Sequence, residues 1–157
     1  MSRHNDVSRS AIIREFRSGD QSDTKKLILA GLGGHFGGID LALNPDLDDI
    51  VSTYLEDGHQ FVVATLNEQI IGTGGLYLQE EEVGRIVRMS VAREYRGLGI
   101  GRMLAEHLVG LAKGLGLHRI NVETNHDWYP AIELYKSCGF VQLFIDEESI
   151  HMALYLD

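Results

Sequence analysis

The chain has 157 residues, 23 acidic against 14 basic for a net charge of −9, with one cysteine and two prolines. That length fits one domain with a core large enough to need no disulfide or metal. The acidic balance argues against sequence-independent binding to nucleic acid through its phosphates, the lone Cys138 excludes an intrachain disulfide, and no apolar run reaches the ~18 residues of a membrane span.

Residues 1–10 are polar and read as a flexible arm, leaving 11–157 as the folded domain. With no apolar leader core and a single cysteine, the expected location is cytoplasmic. Ala11–Phe16 is a first strand. Asp20 stands where it can cap a helix through Thr24–Ala30, which Gly31, Gly33 and Gly34 are expected to break. Residues 34–45 read as irregular and glycine-rich. Asp46–Tyr54 is a second helix with carboxylates at its favoured N-terminal end.

Phe61–Leu66 and Gln69–Leu78 form a hairpin around Asn67-Glu68. Three glycines in its return strand, Gly72, Gly74 and Gly75, signal a bulge or close backbone packing. After the acidic turn Glu80–Glu82, Gly84–Val91 is a strand. Gly99–Gly114 is an amphipathic helix with Ile100, Met103, Leu104, Leu108 and Leu111 on one face. Arg119–Glu123 is a strand, and Pro130–Cys138 a helix stopped by Gly139. Val141–Ile145 and Ile150–Leu156 close the chain as two strands around Asp146–Glu148. The order is β-α-α-β-β-β-α-β-α-β-β. It implies an α+β fold, with one mixed and mostly antiparallel twisted sheet flanked by about four helices.

The segment Arg96-Gly97-Leu98-Gly99-Ile100-Gly101 joins a strand to the amphipathic helix. Alternating glycines let backbone approach a ligand closely. A helix N-terminus adds unpaired amides and a positive dipole end, together an anion site suited to pyrophosphate. Arg96 and Arg102 flank it and supply charge-assisted donors. A Walker loop needs Gly-Lys-Ser/Thr, which is absent. A Rossmann fingerprint from Gly97 puts Arg102 where its third glycine belongs. A turn that binds nothing is the plain alternative.

The loop matches [Q/R]-x-x-G-x-[G/A], and Ala131–Phe140 matches A-x-x-L-Y-x-x-x-G-F at all five fixed positions. With both motifs in order and Ile120–Thr124 between them, residues 11–156 resemble the GNAT N-acetyltransferase superfamily. The resemblance implies a GNAT-like domain that transfers acetyl from acetyl-CoA to an amine of a small molecule or peptide, with no metal. It implies that Met89, Ser90 and Val91 on a bulged strand bind the pantetheine arm. Arg96, Gly97, Leu98, Gly99, Ile100, Gly101 and Arg102 would hold the pyrophosphate, and Asn125 would also touch the cofactor. Tyr135 takes the position of the family's general acid, although a core aromatic would fit that helix equally.

The base is open. Glu82 is the first choice, in a turn with Glu80 and Glu81 that also reads as a solvated surface. Glu123, His126 or an ordered water are the alternatives. Arg85 and Arg88 differ by three, so an extended strand points them to opposite faces. One of them, Arg88 by choice, would face the cleft and hold a substrate carboxylate. The net charge points the other way, towards a cationic acceptor. The seven histidines show no metal spacing, and Cys138 reads as packing. Family habit suggests a homodimer, and neither nucleic acid nor membrane is an expected partner. Two other functions remain: a non-catalytic acyl-CoA sensor, and a nucleotide binder indifferent to CoA.

Overall fold

The computed structural model describes residue 7, residues 9–36 and residues 44–156. Seven strands form one sheet in the order β1-β2-β3-β4-β5-β7-β6. They are β1 (Ile12–Glu15), β2 (Gln60–Leu66), β3 (Gln69–Glu80), β4 (Val83–Val91), β5 (Arg119–Asn125), β6 (Val141–Ile145) and β7 (Ser149–Tyr155). All neighbours are antiparallel except β4 and β5. The longer α-helices among the described residues are α1 (Gln21–Phe36), α2 (Ile100–Gly114) and α3 (Tyr129–Ser137). The expected α+β architecture is therefore present. None of the helices among the described residues is long and apolar enough to cross a membrane.

The core has two parts. On one side, Ile100, Leu104 and Leu108 of α2 and Ile132 and Tyr135 of α3 pack on Leu76, Ile86, Ile120 and Val122. On the other, Ile28 and Leu29 of α1 join Leu47, Ile50, Tyr54, Phe61 and Val63. The alternation along β5 explains its role: Ile120 and Val122 are buried, while Arg119, Asn121 and Glu123 occupy the opposite face.

Four expectations for the first half need correction. α1 runs through Gly31, Gly33 and Gly34 to Phe36, and residues 37–43 of the expected irregular stretch lie outside the described residues. Gly31 is there for contact: a Cβ would sit 3.0 Å from Ser90 Oγ and 3.6 Å from Arg96 Nη2. Asp20 does not cap α1. Its carboxylate turns back to accept two bonds from Arg14 and the Arg17 amide. The helix expected over Asp46–Tyr54 is instead a 3₁₀ turn, Pro45–Asp48, and a π-helical turn, Val51–Leu55. Between them the Gln21 side chain donates to Leu47 O and accepts from Ile50 N, supplying bonds that an unbroken helix would make itself. Of the expected arm, residues 1–6 and 8 lie outside the described residues. Val7 is buried, and its carbonyl accepts the Ala11 amide.

The glycines of β3 do mark close packing. A Cβ on Gly72 would stand 2.9 Å from Leu104 Cδ1 and 3.2 Å from Ile100 Cγ2; one on Gly74 would stand 2.7 Å from Met89 Sδ. Opposite Gly74 the register of β4 slips: Thr73 pairs Ser90 and Gly75 pairs Val87, leaving Arg88 and Met89 as a bulge. Arg88 has a φ of 53°, a left-handed conformation that costs a side-chain-bearing residue about 1–2 kcal/mol. Thr73 Oγ1 donates to its carbonyl at 2.8 Å. Its guanidinium makes two bonds, of 2.9 and 2.6 Å, to Asp46, which also accepts from Tyr54 at 2.7 Å. This triad ties the Pro45–Leu55 segment to the bulge.

Replacing Gly72 with Val should lower stability by about 1–3 kcal/mol through overpacking. Gly110, exposed on α2 with no heavy atom within 4 Å of a built Cβ, should gain about 1 kcal/mol as Ala. Urea unfolding of the two variants measures both, and indistinguishable midpoints would overturn the packing account.

Burial alone would raise the Asp46 carboxyl, but bonds from Arg88 and Tyr54 outweigh it and hold the group below its ordinary range. A depressed carboxyl stabilises the fold fully above the unfolded value of about 3.9, and this contribution fades as pH falls through the folded value. Asp46→Asn should therefore cost about 1.5–3 kcal/mol at pH 7, the range for hydrogen bonds to charged groups. The gap from the native protein should narrow below pH 4. A gap that stays constant from pH 7 to pH 3 would exclude this linkage.

Candidate active site

β4 and β5 are paired only at Val83–Arg119, Gly84–Ile120 and Arg85–Asn121. Beyond Arg85 the strands part, and a cleft of about 890 Å³ opens between them. Its walls are the bulged end of β4, the end of β5, the loop before α2, and α3.

The loop before α2 has the geometry of an anion cradle. Gly97 and Gly99 have φ of 76° and 91°, open to glycine at little cost. A Cβ on Gly97 would meet nothing within 4 Å. The amide of Met103 is the first of α2 to bond backwards, to Gly99 O. Among the described residues, the amides of Gly97 to Arg102 donate to no protein acceptor. A row of free amides at the positive end of a 15-residue helix favours a bound anion. Arg96 donates Nε to Val91 O, which fixes it across the mouth of the loop. Arg102 is exposed and pairs with Glu106.

Met89, Ser90, Val91, Arg96, Gly97, Gly99, Ile100, Gly101, Arg102, Asn125 and Tyr135 all line this cleft. Leu98 does not; its side chain packs on the core. Asn125 Oδ1 accepts the Asp127 amide, which shapes the turn into α3. Tyr135 is 4% exposed, with its ring edge-on to Phe140 at 5.5 Å. Among the described residues its hydroxyl has no hydrogen-bond partner. Burial, with the nearby Cys138 adding to it, pushes its phenol well above the usual tyrosine value, so the group is neutral.

Glu82 stands apart from these residues. It sits in the β3–β4 turn with a φ of 66°, beyond the paired end of β4, and its carboxylate lies 3.8 Å from His118. Its carbonyl accepts the amides of His118 and Arg119, a structural task at the far end of the strand. His126 is likewise outside the lining, bonded to Glu147 O. The lining carboxylates among the described residues are Asp46 and Glu123. Asp46 is taken up by Arg88 and Tyr54. Glu123 meets Arg85 at 2.8 Å, with both side chains about one-third exposed. The alternation that sends Arg85 and Arg88 to opposite faces fails at the bulge, and both reach the cleft. Arg88 arrives already held by Asp46.

Sequence spacing could not reveal that β-pairing brings Glu123 opposite His151. Potential ligand atoms of Glu123, Asp146 and His151 lie within 4.8 Å of one another. Two turn amides hold Asp146 Oδ1, its Oδ2 meets His151 at 2.9 Å, and these bonds bring its carboxyl down to about 2. The Arg85 guanidinium already supplies positive charge to Glu123.

The acetyltransferase (GNAT) family model matches residues 37–140. Human N-acetyltransferase 8B is 32% identical over 109 residues, covering 65% of this chain and 48% of that protein. The chain spans about half the length of the curated mammalian relatives it matches. The crystal structure of a GNAT-family acetyltransferase from Staphylococcus aureus Mu50 superposes with a TM-score of 0.85 at 25% identity, covering 94% of this chain and 99% of that one. PaiA N-acetyltransferase from Thermoplasma acidophilum, solved with coenzyme A, gives 0.82 at 14% identity over 94% and 99% of the two chains, a likeness of fold. With the family model covering more than half of its length, this protein belongs to the GNAT acetyltransferase family.

Proposed function

We propose that the protein transfers the acetyl group of acetyl-CoA to an amine. The observation that carries this reading is the row of unpaired amides from Gly97 to Arg102, at the mouth of a cleft that runs between two parted strands to a buried tyrosine. The amides and Arg96 suit a pyrophosphate, and the unpaired edge of β4 suits the amides of a pantetheine arm. Acetyl-CoA supplies a thioester carbonyl that an amine attacks, forming C–N and breaking C–S.

The Met89 N–H, in the bulge, donates to the carbonyl oxygen as negative charge develops there. Tyr135 gives its proton to the departing sulfur. A thiol of pKa ~8.5 is a stronger acid than a tyrosine of ~10 in water, so donation is uphill until burial raises the cost of the thiolate as well. The proton lost by the amine returns to Tyr135 through water. Glu123, on the lip of the cleft, draws in the cationic acceptor and takes up its first proton, the role the sequence suggested for Glu82.

Gly99→Glu should abolish acetyl-CoA binding by setting a charged side chain against the pyrophosphate at a φ of 91°. Gly99→Ala, which brings strain without charge, should weaken binding less. Calorimetric titration with acetyl-CoA reads both, and undiminished affinity of the glutamate variant would move the site elsewhere.

Tyr135→Phe should lower turnover by about 10²–10⁴-fold, as loss of a general acid does, and leave acetyl-CoA affinity within twofold. Because burial holds the phenol above its ordinary value, the native rate should show no fall from tyrosine ionisation up to pH 10. CoA release with a panel of amines measures both; full turnover in the variant would reduce the residue to core packing.

A further inference from the structure

A second cavity, of about 370 Å³, adjoins the cleft and shares with it Gln79, Arg85, Val122 and Glu123. It runs along β5 from Glu123 past Asn121 to Arg119. Its polar wall is unfinished. Arg14, Lys25, Arg85, Arg88 and Arg102 each hold a carboxylate. Arg119 does not: among the described residues its guanidinium has no hydrogen-bond or ionic partner, and its Nε is buried. Asn121 Nδ2 donates to Gln79, but Asn121 Oδ1 is buried without a donor. In a chain with 23 acids to 14 basic residues, an unpaired, partly buried arginine is unexpected. A buried polar group left unmade costs about 1–3 kcal/mol, so two side by side point to a ligand that completes them.

The missing partners have defined chemistry. A guanidinium fork matches the two oxygens of a carboxylate, and a lone amide oxygen asks for an N–H. Leu143, Phe144 and Met152 add an apolar wall beside them. Distance sets the length. Met89 lies six residues beyond Val83, the register partner of Arg119, which is roughly 20 Å at ~3.3 Å per residue before side chains close the gap. An α-amino acid, with amine and carboxylate on one carbon, is too short to join the two ends. An extended chain of four residues spans roughly 13 Å.

Resting on the acetyl-transfer reading, we propose that this cavity receives the far end of the acceptor, a short extended peptide whose carboxylate pairs with Arg119 and whose backbone N–H donates to Asn121 Oδ1. The acceptor's two charges then match the order of side chains along the floor: its ammonium comes to Glu123 and its carboxylate to Arg119, with Arg85 between.

The test is calorimetric titration of the CoA-saturated protein with tetra-alanine and with its C-terminal amide, probes that differ in one charge. The free acid should bind at least tenfold more tightly than the amide. Arg119→Ala should erase the difference and Arg119→Lys restore part of it, while both variants stay folded and keep the native acetyl-CoA affinity. Equal affinity for the two peptides, binding of neither, or undiminished discrimination in Arg119→Ala overturns the proposal. Acetyl-CoA titration of the native protein separates the two ideas: if acetyl-CoA does not bind, the acetyl-transfer reading falls, and if it binds while the peptides are not distinguished, only the acceptor assignment falls.

Discussion

β5 is held on one side along its whole length and on the other along only three residues. All seven of its residues pair with β7, from Arg119–Tyr155 to Asn125–Ser149. Its pairing with β4 stops at Arg85–Asn121. Each strand keeps its outer neighbour, β5 along β7 and β4 along β3, so the sheet opens between them. The bulge at Arg88 and Met89 keeps β4 registered with β3 while bending it away from β5. Everything in the candidate site follows from that parting. The edge of β4 loses its partner and is left for a ligand to pair. The crossover helix α2 starts at the mouth of the gap with its free amides facing it, and α3 closes the far wall with Tyr135.

A left-handed residue in the middle of a strand needs restraint from several directions. Thr73 holds the Arg88 carbonyl, and Asp46 holds its guanidinium with Tyr54 behind it. Gly31 lets α1 come up against Ser90 and Arg96. Gly72 and Gly74 let α2 and Met89 settle on β3. The bulge is thus fixed by strand, helix and side-chain contacts from both faces, the rigidity that the amide role proposed for Met89 would need.

Features were legible in the sequence where the chemistry is local. The loop from Arg96 to Gly101 carries its own turn residues and sits beside the helix it starts, so its position between strand and helix was legible locally. The β3 glycines announced close packing for the same reason. Errors arose where a remote segment decides. Gly31 reads as a breaker until β4 is seen against it. Asp20 reads as a cap until Arg14 claims it. The helix expected at Asp46–Tyr54 is divided by a glutamine more than twenty residues upstream. Glu82 and Glu123 are both acids near strand ends, and only the direction in which β4 and β5 part decides which one reaches the cleft. Arg119 carried no signal at all, since a missing partner is visible only once every neighbour is in place.

The chain is acidic overall, yet its candidate site presents groups that suit an anion, and the two facts are reconciled by range. At physiological ionic strength the field of a surface charge is screened over ~8 Å, so the sum of −9 acts on encounter and solubility more than on a bound group. Within the cleft the balance is different. Arg85 and Arg88 are offset by Glu123 and Asp46, and Arg102 by Glu106. What is left to face an anion is Arg96, which has no acidic partner among the described residues, and the amides at the start of α2. Backbone amides carry no net charge to be cancelled, and their direction is set by the helix. An acidic surface can therefore attract a cationic amine without weakening the pocket proposed for the phosphates. It follows that salt should act differently on the two partners, weakening capture of the amine by the acidic surface more than grip on the pyrophosphate by oriented dipoles at close range.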